Sequence, residues 1–217
     1  GIGDKKPQSK DGKSMDPILA HDIQVMSIGF LVDQETPMIW RGPMVTGTLE
    51  QLLKETNWDD LDYLIVDLPP GTGDIQLTLA QKIPVTGAII VTTPQDIALL
   101  DARKGLKMFE KVNVPIIGVL ENMSTHICSN CGNEEHIFGS GGGEKMSEDY
   151  NVELLGRLPL DIAIREQLDA GKPIINNKKY EKISKIYNEI AIKTSLKIAS
   201  LNEDINSKFP KIVIEKN

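Results

Sequence analysis

The feature that most constrains this chain is a series of short, almost wholly apolar runs, separated by stretches with helical spacing. Tyr63-Leu64-Ile65-Val66-Asp67-Leu68, closed by Pro69-Pro70-Gly71, is one. Ala88-Ile89-Ile90-Val91-Thr92-Thr93, stopped by Pro94, and Pro115-Ile116-Ile117-Gly118-Val119-Leu120 are two more. Ile23 to Leu31 alternates before running apolar, and Leu154-Leu155-Gly156-Arg157-Leu158 makes a short fifth run. Runs of this length and composition read as strands buried on both faces. Between them, apolar residues recur at helical spacing over 44–56, 75–82, 98–112, 143–151 and 178–200, the last with Ile183, Ile186, Tyr187 and Ile190 inward. Alternating strands and helices predict an α/β fold, a mostly parallel sheet with helices on both faces. Ligands in such sheets bind beyond the carboxyl ends of the strands. The site is therefore expected at 67–74, 92–96, from Asn122 onward, and at 159–161.

The expected organisation is a polar segment over 1–22 and one α/β domain over 23–200, with an insertion at 124–143. A tail over 201–217 follows, with an edge strand at 212–214. With 217 residues the chain is long enough for a real core, and 40% apolar with 25% charged residues is ordinary for a globular protein. No run approaches the ~18–20 apolar residues of a membrane span. The first residues lack the apolar stretch of a secretory signal. Two Cys cannot make a disulfide framework, so a cytoplasmic setting is expected. The net charge of −7 is unevenly placed, residues 1–171 carrying −12 and the Lys-rich remainder +5. An acidic body disfavours nucleic acid, whose nonspecific affinity comes from phosphate neutralisation. The basic end reads as a solvated helix face, with no stable membrane association.

Two motifs carry chemistry. Asp67 ends an apolar run and precedes Gly71-Thr72-Gly73-Asp74. A carboxylate in a buried strand is costly unless its charge meets a cation or donors. In phosphate-handling enzymes that position serves the Mg²⁺ shell, and a Gly-rich turn admits a terminal phosphate. The plain alternative is a tight turn with Asp74 capping a helix. Gly12-Lys13-Ser14 has the tail of a phosphate loop, but Pro7 stands where its leading Gly belongs and no strand precedes it. It is not a phosphate cradle.

Cys128-Ser129-Asn130-Cys131-Gly132 is the second motif, and two thiolates at this spacing supply half of a tetrahedral metal shell. Three readings stay open. A second copy of the chain supplies two more Cys, suiting an Fe–S cluster or zinc; His126 and His136 complete a zinc site in one chain; or the pair is a redox dithiol. The run Phe138-Gly139-Ser140-Gly141-Gly142-Gly143 reads as a hinge or a ligand wrap, and Asn122 as a base reader or a turn cap.

The chain resembles the Mrp/ApbC-type iron–sulfur cluster carrier proteins, deviant P-loop ATPases related to MinD and ParA. The residues carrying the likeness are Met26 to Leu31, Trp40-Arg41-Gly42-Pro43-Met44, Asp62 through Asp74, Thr93-Pro94-Gln95, and Glu121-Asn122-Met123-Ser124 leading to the Cys pair. The resemblance implies that Cys128 and Cys131 pair with the same two residues of a second subunit, bridging a [4Fe–4S] cluster in a homodimer that serves apo iron–sulfur proteins. It implies Asp67 in the Mg²⁺ shell, Gly71, Thr72 and Gly73 as a γ-phosphate switch, and Asn122 with Pro159 and Asp161 at the adenine, ATP driving transfer. The family's N-terminal strand and Walker A loop are not found, so a longer parent protein is expected. The chain alone is expected not to hydrolyse ATP, and to be unstable as a monomer or compensated by dimerisation.

Overall fold

The structure, a computed structural model, describes residues 1–32, 42–69, 74–83, 85–128, 130–175 and 177–207. Contacts gather these into two compact units, Gly1–Ile83 with Ala163–Pro173, and Pro84–Ile162 with Ile174–Asn217. The domain expected over 23–200 takes in parts of both.

In the first unit, β1 (Ile18–Ala20) and β2 (Ile23–Val25) form an antiparallel hairpin. His21 and Asp22 both adopt positive φ, the geometry of a tight hairpin turn. The strand expected from Ile23 to Leu31 thus ends at Val25. Ser27 then accepts the N–H of Gly29 and starts a 3₁₀ turn over Ile28–Phe30, which takes the remaining apolar residues out of extended backbone. α1 (Gly42–Lys54) buries Val45 and Leu52 and packs on α2 (Asp74–Lys82), with Lys82 and Glu50 paired at 2.6 Å.

The run 63–68 departs most from expectation. It is not a strand, Tyr63, Leu64 and Val66 are exposed, and Ile65 is 91% exposed. An apolar run becomes a buried strand only where a neighbour meets its N–H and C=O groups and a second layer covers it. Among the described residues no strand pairs with it.

The second unit carries the expected sheet. β3 (Ala88–Thr92), β4 (Ile116–Glu121), β5 (His126–Ile127), β6 (Glu134–Glu135) and β7 (Leu154–Arg157) follow in chain order. β3, β4 and β7 are parallel, β4 central, so that Thr92, Glu121 and Arg157 line up at the carboxyl edge. β3 is covered on one face only: Ala88, Ile90 and Thr92 are buried while Ile89 and Val91 are exposed, against the expectation of burial on both faces. α3 (Asp96–Lys111) buries Leu99, Leu106, Met108 and Phe109, and packs on β3 and β4. Asp96 in its first turn and Lys111 in its last complement the helix dipole. α4 (Gly142–Tyr150) packs on α3 and β4, with Met146 fully buried.

After β7 comes α5 (Ile162–Asp169), which periodicity did not predict. α6 (Glu181–Ser207) then lays Ile183 and Ile190 inward, as expected, closing a core of Ile117, Leu155, Leu158 and Ile190. It continues past the expected end at 200 into the segment expected to be tail. The edge strand expected at 212–214 lies outside the described residues. No described helix is long and apolar enough to cross a membrane.

Candidate functional site

The Cys pair sits on a small ribbon rising from the carboxyl edge of the sheet. β5 and β6 pair antiparallel, His126 opposite Glu135 and Ile127 opposite Glu134, and the turn between them carries both cysteines. The Cys128 N–H bonds the Asn133 carbonyl at 2.9 Å, and the Gly132 N–H bonds the Cys128 carbonyl at 2.8 Å. Gly132 takes φ +73°, where any other residue is strained, and this closes the turn. Cys131 is exposed and Cys128 half-buried.

Within the turn the backbone N–H groups of Cys131 and Asn130 point at the Cys128 sulfur, and the Cys131 thiol reaches it as well. These donors hold the Cys128 thiol below its ordinary value, against desolvation and the Glu135 carboxylate, which push it up. The shift favours the thiolate, the form that ligates metal.

Both histidines are anchored through Nδ1, which leaves Nε2 of each as the ligand atom, so convergence decides whether a site forms. His126 Nδ1 donates to the Leu160 carbonyl at 3.0 Å, and His136 Nδ1 to the Ser124 carbonyl at 3.3 Å. Among the described residues no three His, Cys, Asp or Glu side chains converge on one point. The single-chain zinc site of two Cys and two His is therefore not assembled. The donor set is two soft sulfur ligands with an open outer side, which fits half of a thiolate-held metal group and does not close around an ion alone.

The carboxyl edge also gathers Asn122 and Pro159 to Asp161. The Asn122 N–H bonds the Thr92 carbonyl at 2.7 Å, and its side-chain oxygen accepts the Met123 N–H at 2.9 Å. Met123 has φ +55°, so Asn122 caps its own turn, the plainer of its two readings. The Leu158 and Leu160 N–H groups bond the carbonyls of Glu121 and Thr125, which ties the Pro159 turn to the ribbon's base. Pro159 and Asp161 are half-buried there. The Gly-rich run is close-packed only at its end: a Cβ on Gly142 would meet Leu99 at 2.8 Å and the Pro94 carbonyl at 2.9 Å, whereas one on Gly141 would meet nothing within 4 Å.

Asp67 lies in the other unit and is exposed, at the end of the unpaired run. The burial argument for its charge therefore does not hold in this structure. Gly71, Thr72 and Gly73 lie outside the described residues.

Sequence reasoning passed over Glu121 as a functional residue. It is fully buried at the carboxyl end of the central strand. Its Oε1 accepts the Ser124 hydroxyl and its Oε2 the Gly143 N–H, each at 2.6 Å. Arg157 pairs with it at 3.7 Å and with Glu144 at 2.9 Å. The signal was present, because an acid closing an apolar run is the pattern that singled out Asp67.

A family model described as ParA, NUBPL iron-transfer P-loop NTPase, matches residues 1–195. The iron-sulfur cluster carrier protein of Pseudomonas fragi is 60% identical over 187 residues, covering 86% of this chain and 65% of that protein. The mouse iron-sulfur cluster transfer protein NUBPL is 45% identical over 197 residues, 91% of this chain and 62% of its own. Among solved structures, the nucleotide-binding protein of Archaeoglobus fulgidus in complex with ADP superposes with a TM-score of 0.65 at 33% identity, covering 77% of this chain and 65% of that one. The chain thus spans less than two thirds of the length of these curated relatives.

Proposed function

This chain belongs to the ParA family of iron-transfer P-loop NTPases, and on that premise we propose that it is the cluster-bearing part of an iron–sulfur cluster carrier. Cys128 and Cys131 hold one half of a [4Fe–4S] cluster. The same two residues of a second copy hold the other half, and the cluster passes to apo iron–sulfur proteins in the cytoplasm.

The observation that carries this reading is the ribbon turn: two thiols, one favoured as thiolate, with no third ligand converging among the described residues. A tetrahedral iron needs more thiolates than one chain offers here, and a second copy supplies them symmetrically. The cluster is cargo, so an exposed turn on short strands suits loading and release better than an enclosed cage.

ATP with Mg²⁺ is proposed as the nucleotide of the whole protein. Asp67 and Gly71, Thr72 and Gly73 are proposed for the phosphate and metal side, and Asn122, Pro159 and Asp161 for the adenine side. The position of Asn122 and Pro159 to Asp161 beyond the carboxyl ends of β4 and β7 supports this, since ligands of parallel sheets bind there.

Anaerobic reconstitution with iron and sulfide tests the proposal. A brown dimer is expected, with about one cluster per two chains and thiolate-to-iron absorption in the visible range. Cys128→Ala and Cys131→Ala should each abolish colour and cluster-linked dimerisation. A colourless monomer with one zinc would overturn it.

A further inference from the structure

One buried carboxylate lies between the two ends of the segment that carries the Cys pair. The insertion leaves the sheet just after β4 and rejoins it at α4. Ser124 is its first residue and Gly143 its last. Ser124 also gathers the ribbon's base: its N–H bonds the Leu158 carbonyl at 2.9 Å, and its own carbonyl accepts His136 Nδ1 from the far side of β6.

We infer that Glu121 is a positioning residue for the Cys128–Cys131 turn, its buried carboxylate clamping both ends of the insertion, one oxygen to the Ser124 hydroxyl and the other to the Gly143 N–H. Two 2.6 Å bonds to an ionised acceptor are among the stronger hydrogen bonds a protein makes. The approach at Gly143 needs glycine, since a Cβ there would stand 2.9 Å from Glu121 Cβ and 3.0 Å from its Oε2.

A structural role alone explains this group poorly. Glu121 is fully buried, and an apolar residue at a sheet end avoids the desolvation cost that a carboxylate bears. What the carboxylate adds is two acceptors in a fixed plane, at the point where a loop that must hold its thiols in place departs and returns. Arg157, paired to both Glu121 and Glu144, balances the charge and ties β7 and the first turn of α4 to the same point.

The inference rests on the carrier reading for its purpose, but its test does not. Hydrogen–deuterium exchange on the full chain, without metal, reads the ribbon directly. Glu121→Gln keeps the volume but turns one acceptor into a donor, so one end of the clamp is lost. Amides of 124–136 should exchange about tenfold faster, the factor set by losing one hydrogen bond to a charged group. Ser124→Ala, a milder change, should raise exchange at the ribbon's entry only. In reconstituted protein both variants should give up iron to a ferrous chelator several-fold faster than wild type. Leu155→Ala serves as control, lowering Tm through a core cavity while leaving ribbon exchange and iron release unchanged. The inference is overturned if Glu121→Gln leaves ribbon exchange at the wild-type rate, or if exchange follows Tm alike in Glu121→Gln and Leu155→Ala. If wild type takes up no cluster, the carrier reading falls and the exchange arm still decides the clamp.

Discussion

Gly156, in the middle of β7, lies so close to Ile190 of α6 that a Cβ at 156 would stand 2.6 Å from the isoleucine Cγ1. The Ile190 side chain rests directly on the strand's backbone, and the glycine sets how closely α6 covers Leu155 and Ile117. Gly156→Ala must push α6 outward or force Ile190 off its rotamer. Overpacking of this kind costs about 1–3 kcal/mol. Urea unfolding should show a lower midpoint with an unchanged slope, and the smaller partner in Gly156→Ala/Ile190→Val should recover part of the loss.

Ile65 makes the opposite prediction. It is 91% exposed on a run that pairs with no described strand, so Ile65→Asp removes no packing. Stability should change by no more than about 0.5 kcal/mol, as for other surface sites. Binding of a dye that reports exposed apolar surface should fall, because Tyr63, Leu64 and Ile65 form a continuous exposed stretch. A loss of several kcal/mol in thermal unfolding would mean that Ile65 is covered.

The contrast between these two residues shows what the sequence could convey. Periodicity located β3, β4, β7, α3, α4 and the inward face of α6, because those segments find partners within their own unit, although β3 buries only one of its two apolar faces. The same apolar pattern at 63–68 was misread, since burial depends on a neighbouring strand and no local pattern reports one. α5 was missed although Ile164 and Leu168 lie one turn apart, because eight residues are too short a stretch for the period to stand out. At the candidate site, the spacing of Cys128 and Cys131 was legible in full. The engagement of His126 and His136 with carbonyls was not, because a histidine's partner is set by tertiary placement.

Asp11 gives the pH dependence. Its carboxylate accepts the Ser14 N–H at 2.8 Å, the Lys13 N–H at 2.9 Å and the Ser14 hydroxyl at 3.0 Å. These bonds, that from the Ser14 N–H foremost, lower its pKa from 3.8 to about 2. A depressed carboxylate favours the folded turn above its ordinary value and loses that contribution as pH falls through the folded one. The turn should therefore be ordered above about pH 4 and loosen toward pH 2. NMR titration should place the Asp11 midpoint near 2. Ser14→Ala, which removes the hydroxyl and keeps both N–H donors, should move the midpoint part of the way up; an unchanged midpoint would mean that the hydroxyl contributes nothing.

Gly132 controls the Cys128 thiol through the turn it closes. Its φ of +73° lets its N–H reach the Cys128 carbonyl, and the same turn aims the Cys131 and Asn130 N–H groups at the sulfur. Gly132→Ala places a Cβ in the left-handed region at a cost of about 1–2 kcal/mol. Relief of that strain opens the turn and withdraws the donors. The Cys128 pKa should then rise toward its ordinary value, leaving less thiolate at neutral pH. Alkylation by iodoacetamide, followed peptide by peptide in the mass spectrometer from pH 6 to 9, should give a Cys128 profile shifted upward in the variant. Its rate at neutral pH should be several-fold slower, while the turn's exposure keeps the change in global Tm small. An unshifted Cys128 profile in Gly132→Ala would show that the thiolate owes nothing to this turn.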